Sequence, residues 1–224
     1  MNNSLAIGAA TFIATLAVGT LLVWPDSRTE HPRPAAAARS APAPQGERIA
    51  LPTLGLSVMR PNSWSTVTAE ENRRNLAAVQ MDDRQLQELA IRYASTPIIA
   101  MSKYKEPYED LNPSFKINVR PLGSFAGHSP EEVLNAAIPT FRRMFGDLHI
   151  DYAPTRTTLS GKQAAYTRLS YTLRAGGGEY PTVSEIWVVP SGPVFFMIGT
   201  GTRADEKNGS RAEARAIVDS LRIR

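Results

Sequence analysis

Histidine serves both as a general base and as a metal ligand, and this chain of 224 residues has three of them. His31 lies in a Pro/Ala-rich stretch, His128 precedes a predicted helix, and His149 begins a predicted strand. Because side chains two residues apart in a strand share a face, His149 and Asp151 supply two potential metal ligands. A zinc site needs three or four ligands, and the chain has no cysteine to complete one. We therefore predict no metal site.

A second chemical signal is Gly-Thr-Gly-Thr-Arg-Ala at 199–204, which fits the G-x-G-x-x-A fingerprint of dinucleotide-binding loops. That fingerprint requires a helix at once and a second parallel strand. Here a polar stretch (205–209) and a single helix follow, so we interpret the glycines as the end of a strand and predict no cofactor. The chain also lacks a G-x-S-x-G nucleophile elbow. We predict no catalytic residue, and a hydrolase built around His128 or His149 is the alternative.

The segment from Tyr104 to Asn112 has the composition of a recognition surface. It combines Tyr104, Tyr108, charges of both signs and Pro107, with a second proline directly after it, which favours a rigid amphipathic loop. We predict that Tyr104, Tyr108 and Asn112 contact a protein partner, with internal packing of the loop as the alternative. A net charge of only +4, without basic runs interleaved with aromatics, argues against a nucleic-acid partner.

Residues 5–24 contain no charged side chain. At about 1.5 Å per residue a helix of this length spans roughly 30 Å, the thickness of a bilayer core. The alternative is a cleaved signal peptide, but the tail 1–4 has no Lys or Arg, and Trp24, Pro25 and Asp26 stand where small residues should precede a cleavage site. We predict a single transmembrane anchor in a bacterial inner membrane.

Residues 25–50 are rich in Pro, Ala and charge and form the predicted disordered linker, because they have little apolar surface to bury. Residues 51–224 then form one globular domain. Arg28, Arg33 and Arg39 follow the apolar run, and the positive-inside rule would place them in the cytoplasm. That rule weakens for long translocated domains, and we predict a periplasmic domain with the cytoplasmic side as the alternative.

Apolar periodicity predicts strands and helices in turn along this domain. The predicted strands are 54–59, 64–67, 97–101, 114–122, 163–173, 183–189 and 194–199. Helices are predicted over 82–94, from an N-cap at Ser129 to about 145, and from Ser210 onward, with Glu132 and Glu213 completing capping boxes. Pro139 should kink or break the second helix. Short glycine turns join the last three strands, so the fold class is α+β, an antiparallel β-sheet flanked by helices.

Several segments resemble the PsbP-like superfamily. They are the strand-Pro-x-x-Trp opening at 56–64, the Tyr-Lys-x-Pro and Asn-Pro-Ser loop within 97–122, the Gly-Lys-Gln-Ala-Ala-Tyr stretch at 161–166, and the closing capped helix. This group includes the thylakoid protein PsbP, bacterial DcrB-like envelope proteins and a yeast nuclear-import factor that binds Ran. The resemblance implies an α/β/α sandwich that acts as a binding or assembly module without catalysis, and it transfers no metal ligand.

Together these features predict a membrane-tethered, non-enzymatic binding or assembly module of the bacterial cell envelope. Its expected partners are the membrane, through residues 5–24, and an envelope protein. Two alternatives remain at this point: an envelope enzyme of the hydrolase kind, and a purely structural spacer that has no partner.

Overall fold

The computed structural model describes residues 45–95 and 97–224. The predicted tail (1–4), the predicted anchor (5–24) and residues 25–44 of the predicted linker lie outside the described residues. Among the helices of the described ranges, none is long and apolar enough to cross a bilayer.

Eleven strands run through the described residues and form two antiparallel sheets. They are β1 (Gly46–Leu51), β2 (Leu56–Pro61), β3 (Ser65–Thr66), β4 (Val79–Gln80), β5 (Ile99–Ser102), β6 (Ser114–Pro121), β7 (His149–Leu159), β8 (Lys162–Ala175), β9 (Gly178–Ser191), β10 (Val194–Arg203) and β11 (Arg222–Ile223). The large sheet has the order β3-β5-β6-β10-β9-β8-β4, and β7 also pairs with β8. The predicted antiparallel sheet is confirmed, with its long strands extended beyond their predicted ends.

The meander of β8, β9 and β10 is the framework of the large sheet. Gly176 and Gly177 connect β8 to β9 with φ of 57° and 81°, and Gly192 connects β9 to β10 with φ of 59°. These left-handed conformations are easy for glycine and costly for other residues. The glycines at 199 and 201 lie inside β10, paired with β6 and β9, so they belong to a central strand and not to its end.

The small sheet joins three distant segments in the order β1-β2-β11. Strand β1 begins at Gly46, so residues 46–50, which we predict from composition to be linker, belong to the folded domain. Pairing with β2 along six register positions supplies the backbone hydrogen bonds of β1, and the half-buried Ile49 and Leu51 pack against the core. Alternation over so few residues, next to a Pro/Ala-rich stretch, is too weak a signal to mark the boundary.

Within the described residues, four α-helices accompany the sheets: α1 (Ala69–Ala78), α2 (Arg84–Arg92), α3 (Pro130–Met144) and α4 (Arg211–Asp219). The last three correspond to predicted helices. Helix α1 was not predicted, because it buries only Asn72, Asn75 and Leu76 and so lacks an apolar stripe. Its one sequence signal is the capping box formed by Thr68 and Glu71.

The predicted starts of α3 and α4 are both confirmed, but the capping box predicted at α4 is not formed. Ser129 and Glu132 form a capping box, and α3 continues through Pro139 without a break. Ser210 precedes α4 but makes no capping hydrogen bond. Its hydroxyl donates to the carbonyl of Asn208, and the Glu213 carboxylate accepts hydrogen bonds from other elements. The predicted capping box at α4 is therefore wrong.

The large sheet separates two apolar cores, which makes the domain a layered α+β sandwich. One face packs against α1, α2 and α3 through residues such as Leu169, Phe141 and Met197. The other face packs against α4 and the small sheet and contains Trp64 and Trp187, which are 1% and 2% exposed. Both tryptophans are core residues, as predicted.

Candidate protein-contact site

The tyrosine loop, defined as residues 103–113, connects β5 to β6 at the end of the large sheet where β10 also finishes. The Lys103 N–H donates to the Pro113 carbonyl at 2.9 Å and closes the base of the loop. A loop with its ends fixed in this way presents its side chains from a defined position on the scaffold.

Asn112 holds the loop together from the inside. Its Oδ1 accepts from the Tyr104 N–H at 3.0 Å, and its Nδ2 donates to the Tyr104 carbonyl at 2.7 Å and to Glu106 Oε1 at 2.9 Å. The side chain is fully buried, so Asn112 positions the loop, and the expectation that it touches a partner needs correction. A polar residue in a loop sequence gives no sign of whether it points inward or outward.

Tyr104 and Tyr108 stack on each other, with ring centroids 4.3 Å apart and ring planes 18° from parallel. Both are half-buried, and burial raises the pKa of Tyr108. The Lys103 ammonium lies 5.4 Å from the centre of the Tyr104 ring, within the range of a cation–π contact. The peptide bond from Glu106 to Pro107 is cis. The structure thus brings the two predicted tyrosines together in one preorganised pair.

Ion pairs fasten the far side of the tyrosine loop to the end of β10. The Arg203 guanidinium donates to Asp110 at 2.5 Å and to Asp205 at 2.8 and 2.7 Å. These hydrogen bonds raise the pKa of Arg203 and hold that of Asp205 well below its usual value. Asn208 adds a hydrogen bond from its Nδ2 to the Leu111 carbonyl at 3.1 Å. Residues 93 positions apart in the chain therefore cooperate, which local sequence patterns do not reveal.

A second set of contacts fastens the near side of the loop to α4. Lys103 Nζ donates to Glu213 Oε1 at 2.7 Å and to the Ser210 hydroxyl at 3.0 Å. The other carboxylate oxygen of Glu213 accepts from Trp64 Nε1 at 3.1 Å. Ser210 and Glu213 therefore do not cap α4. Both accept hydrogen bonds from Lys103 of the tyrosine loop, and Glu213 also accepts one from Trp64 in the core.

A buried lysine, Lys116, has no recognisable signal in the sequence. Lys116 lies in β6 between Phe115 and Ile117, which face the opposite core, and it is fully buried. Its ammonium donates to Asn72 Oδ1, while Asn72 Nδ2 donates to the Ala94 carbonyl at 2.5 Å. Burial lowers the pKa of Lys116 to about 7. The alternation of β6 suggested a solvent-facing polar side, but α1 covers that side.

The histidine signals do not converge on one site. His149 is exposed at the start of β7, and the Asp151 carboxylate accepts from the Ser170 hydroxyl at 2.8 Å and pairs with Arg168 at 3.3 Å. His128 lies edge-on to Phe125 with centroids 6.0 Å apart. Across residues 45–95 and 97–224, no three His, Cys, Asp or Glu side chains group as a metal site would require.

No family model and no curated protein sequence matches the chain. Solved structures similar to it include a cyanobacterial PsbP (CyanoP) from Synechocystis sp. PCC 6803, at 11% identity and a TM-score of 0.47, covering 85% of this chain and 98% of that one. LpqN of Mycobacterium tuberculosis, described as involved in cell envelope biogenesis, has 14% identity and a TM-score of 0.46, with 80% and 85% covered. A Bacteroides thetaiotaomicron structure has 15% identity and a TM-score of 0.45; the match covers 80% of this chain and spans about half (49%) of that one.

A PsbP protein is thus among the solved structures similar to this chain. That finding agrees with the resemblance seen in the sequence. The likeness is one of fold. The functions of those proteins do not pass to this chain with it.

Proposed function

We propose that this chain is a non-enzymatic protein-binding module that assembles with another protein of the bacterial envelope through the tyrosine loop. The observation that carries the proposal is the stacked pair of Tyr104 and Tyr108 on a loop braced from both sides. Tyrosines bury large areas on binding, and side chains already held in place lose little conformational entropy when a partner docks. The exposed Lys105, Pro107 and Glu109 beside them supply the polar rim that protein interfaces commonly have.

Tethering is the second part of the proposal. The uncharged run 5–24 is long enough to span a bilayer, and the Pro/Ala-rich residues that follow suit a spacer. We place the domain in the periplasm. A fusion of alkaline phosphatase to Arg224 tests this placement, because the enzyme becomes active outside the cytoplasm. Activity of a cytoplasmic reporter fused at the same position would overturn it.

The binding proposal is tested by crosslinking the full chain in native membranes and identifying captured proteins by mass spectrometry. The double variant Tyr104→Ala/Tyr108→Ala should lose a specific partner at least tenfold, because the stacked surface is gone. Tyr152→Ala is the matched control, since Tyr152 is 58% exposed on β7, and it should leave recovery unchanged. Thermal unfolding of each variant confirms that the domain remains folded.

A conservative variant sharpens the test. Tyr104→Phe/Tyr108→Phe keeps two stacking rings and removes only the hydroxyls, so it should retain most of the partner if ring surface carries the binding. Equal recovery of all partners by wild type and by the double alanine variant would refute the role of the tyrosine loop.

A further inference from the structure

The outer face of the small sheet holds an open groove of about 660 Å³. We call it the arginine groove, because its walls are Arg48 of β1, Arg222 of β11 and Arg224 just beyond β11. Its floor includes the small residues Ala50, Gly55 and Ser57, and Pro52, Leu56, Ser160 and Ile223 complete the lining.

Strand register explains why three arginines surround a small-residue floor. Ser57 of β2 pairs with Ala50 on one side and with Arg222 on the other. Arg224 then lies beside Gly55, where its N–H donates to the Gly55 carbonyl at 2.9 Å. A Cβ added at Gly55 would approach the Arg224 Cβ to 3.3 Å, and the glycine has a φ of +61°. A larger residue there would be strained and would crowd the groove.

The groove contains three positively charged side chains and no carboxylate side chain to pair with them. All three arginines are exposed, and the residues lining the groove include no Asp or Glu. The ion pairs found in the described part of the chain involve none of the three. Their hydrogen bonds go to neutral acceptors: Arg48 donates to the Ser57 hydroxyl at 3.1 Å and to the Ser220 carbonyl at 3.4 Å, and Arg222 donates to the Leu221 carbonyl at 2.9 Å. Exposed, unpaired guanidinium groups are well suited to phosphate oxygens, which they bind with two hydrogen bonds at once.

The groove also lies on the part of the domain that the tether reaches first. Strand β1 starts at Gly46, and the twenty-one residues 25–45 separate it from the uncharged run 5–24. Even fully extended, that segment spans no more than about 75 Å. A membrane anchor would therefore hold the groove at a high effective concentration near the lipid surface.

We propose that the arginine groove docks onto the anionic phospholipid headgroups of the membrane to which the chain is anchored. This inference rests on the membrane anchor of the proposed function and adds a second, electrostatic contact to it. Each basic side chain near an anionic bilayer surface strengthens binding on the order of fivefold. Three together shift the ratio of docked to undocked domain on the order of 100-fold.

The test uses the full chain reconstituted into vesicles and labelled at a single introduced cysteine, since the natural sequence has none. Thr53→Cys places an energy-transfer donor on the exposed turn beside the groove, and Glu88→Cys places it on α2, on the far side of the large sheet. The acceptor is a headgroup-labelled lipid at trace level. Vesicles are either phosphatidylcholine alone or a 7:3 mixture of phosphatidylcholine and phosphatidylglycerol.

Docking predicts that transfer from position 53 rises on phosphatidylglycerol and returns to the phosphatidylcholine level in 0.5 M NaCl, because salt screens exposed charges. Arg48→Gln/Arg222→Gln/Arg224→Gln should abolish the rise. Arg74→Gln/Arg92→Gln/Arg142→Gln removes the same charge from exposed positions on the helical side and should leave the rise intact. Equal loss in both triple variants, or transfer independent of lipid charge, would overturn the proposal.

Two further measurements distinguish docking of the groove from membrane insertion of residues 5–24. Flotation with phosphatidylcholine vesicles reports on residues 5–24 alone, so failure there refutes the anchor. Phosphatidylglycerol-dependent flotation that requires the three groove arginines would still support docking in that case, and its absence would refute docking. Displacement by millimolar glycerol phosphate at constant ionic strength would assign the groove to a soluble anion and would overturn docking at a lipid surface.

Discussion

The tyrosine loop and the arginine groove both have clustered positive side chains. The cations that brace the loop are paired with carboxylates, whereas the arginines of the groove are not. Around the loop, Lys103 pairs with Glu213, Arg203 with two aspartates, and Arg211 with Glu206 at 2.5 Å. In the groove, none of the arginines within the described ranges has a carboxylate partner. Paired charges fix the geometry of a surface, whereas unpaired exposed charges contribute little to folding and stay available for a ligand. The paired cations that brace the loop are therefore structural, and we expect the unpaired arginines of the groove to bind a ligand.

Lys116 is a third kind of cation, one removed from water. Its substitution should have the largest effect on the free energy of unfolding. The folded state releases the Lys116 proton near pH 7 and the unfolded chain near 10.5. The unfolded state thus binds more protons between these values, so the stability of the wild type should rise with pH. We expect the free energy of unfolding to increase by about 2 kcal/mol between pH 7 and 9 relative to Lys116→Met. Urea unfolding across this range measures it.

Lys105→Met is the control for that titration, because Lys105 is exposed in the tyrosine loop. Its stability should follow the wild-type profile at every pH. Parallel profiles for wild type and Lys116→Met would show that burial of Lys116 does not depress its pKa in the folded protein.

Arg203→Met should give the next largest effect, because it leaves Asp110 and Asp205 facing each other without their shared cation. The Arg203 side chain is 12% exposed. The free energy of unfolding should therefore fall by about 1.5 kcal/mol at pH 7, a value between those typical of losing a surface ion pair and a buried one. The pKa of Asp205 is lowered in the folded state. The stabilisation is therefore present above about pH 4 and should be lost as the pH falls further.

Denaturant titrations at pH 7 and pH 3 measure both parts of this prediction. Arg92→Met on α2 removes an exposed arginine and should change stability by less than about 0.5 kcal/mol. A cost for Arg203→Met that is the same at both pH values would contradict the role of the two carboxylates.

Glu213→Ala should have a smaller effect, of about 1 kcal/mol, because it removes the acceptor of Lys103 and Trp64 at a position that is 40% exposed. Glu213→Gln keeps an acceptor oxygen and should recover part of that loss. Tryptophan fluorescence reports the change around Trp64, and Glu88→Ala on α2 is a control at an exposed carboxylate. If Glu213→Ala left both the fluorescence and the stability unchanged, its contacts would not brace the loop.

The groove should show the smallest effect on stability. Arg48→Gln/Arg222→Gln/Arg224→Gln should stay within about 0.5 kcal/mol of the wild type, because exposed arginines without ion pairs add little to folding. Thermal unfolding without lipid checks this expectation. A loss comparable to that of Arg203→Met would remove the contrast between the two regions and would mean that the groove arginines are structural.

Much of the fold could be predicted because its elements carry local signals. The α3 cap at Ser129 and the alternation along β8 to β10 depend only on residues a few positions apart. Helix α1 has a capping box but lacks an apolar stripe, because Asn72 and Asn75 face the interior where apolar residues are expected. In the site, the composition of the loop identified Tyr104 and Tyr108, but the inward direction of Asn112 follows from hydrogen bonds that no local pattern specifies.

The sequence by itself determined the antiparallel meander, three of the four α-helices between residues 45 and 224, and the position of a tyrosine-rich loop. Periodicity, caps and turn glycines act over short stretches of chain. Tertiary structure alone decided which charges are paired. Asp110 meets Arg203 and Lys103 meets Glu213 across 93 and 110 residues. It also brought Arg48 and Arg222 together through a sheet built from both ends of the domain. The physical reason is that the pairing of side chains depends on the packing of distant elements, which leaves no periodic trace in any one of them.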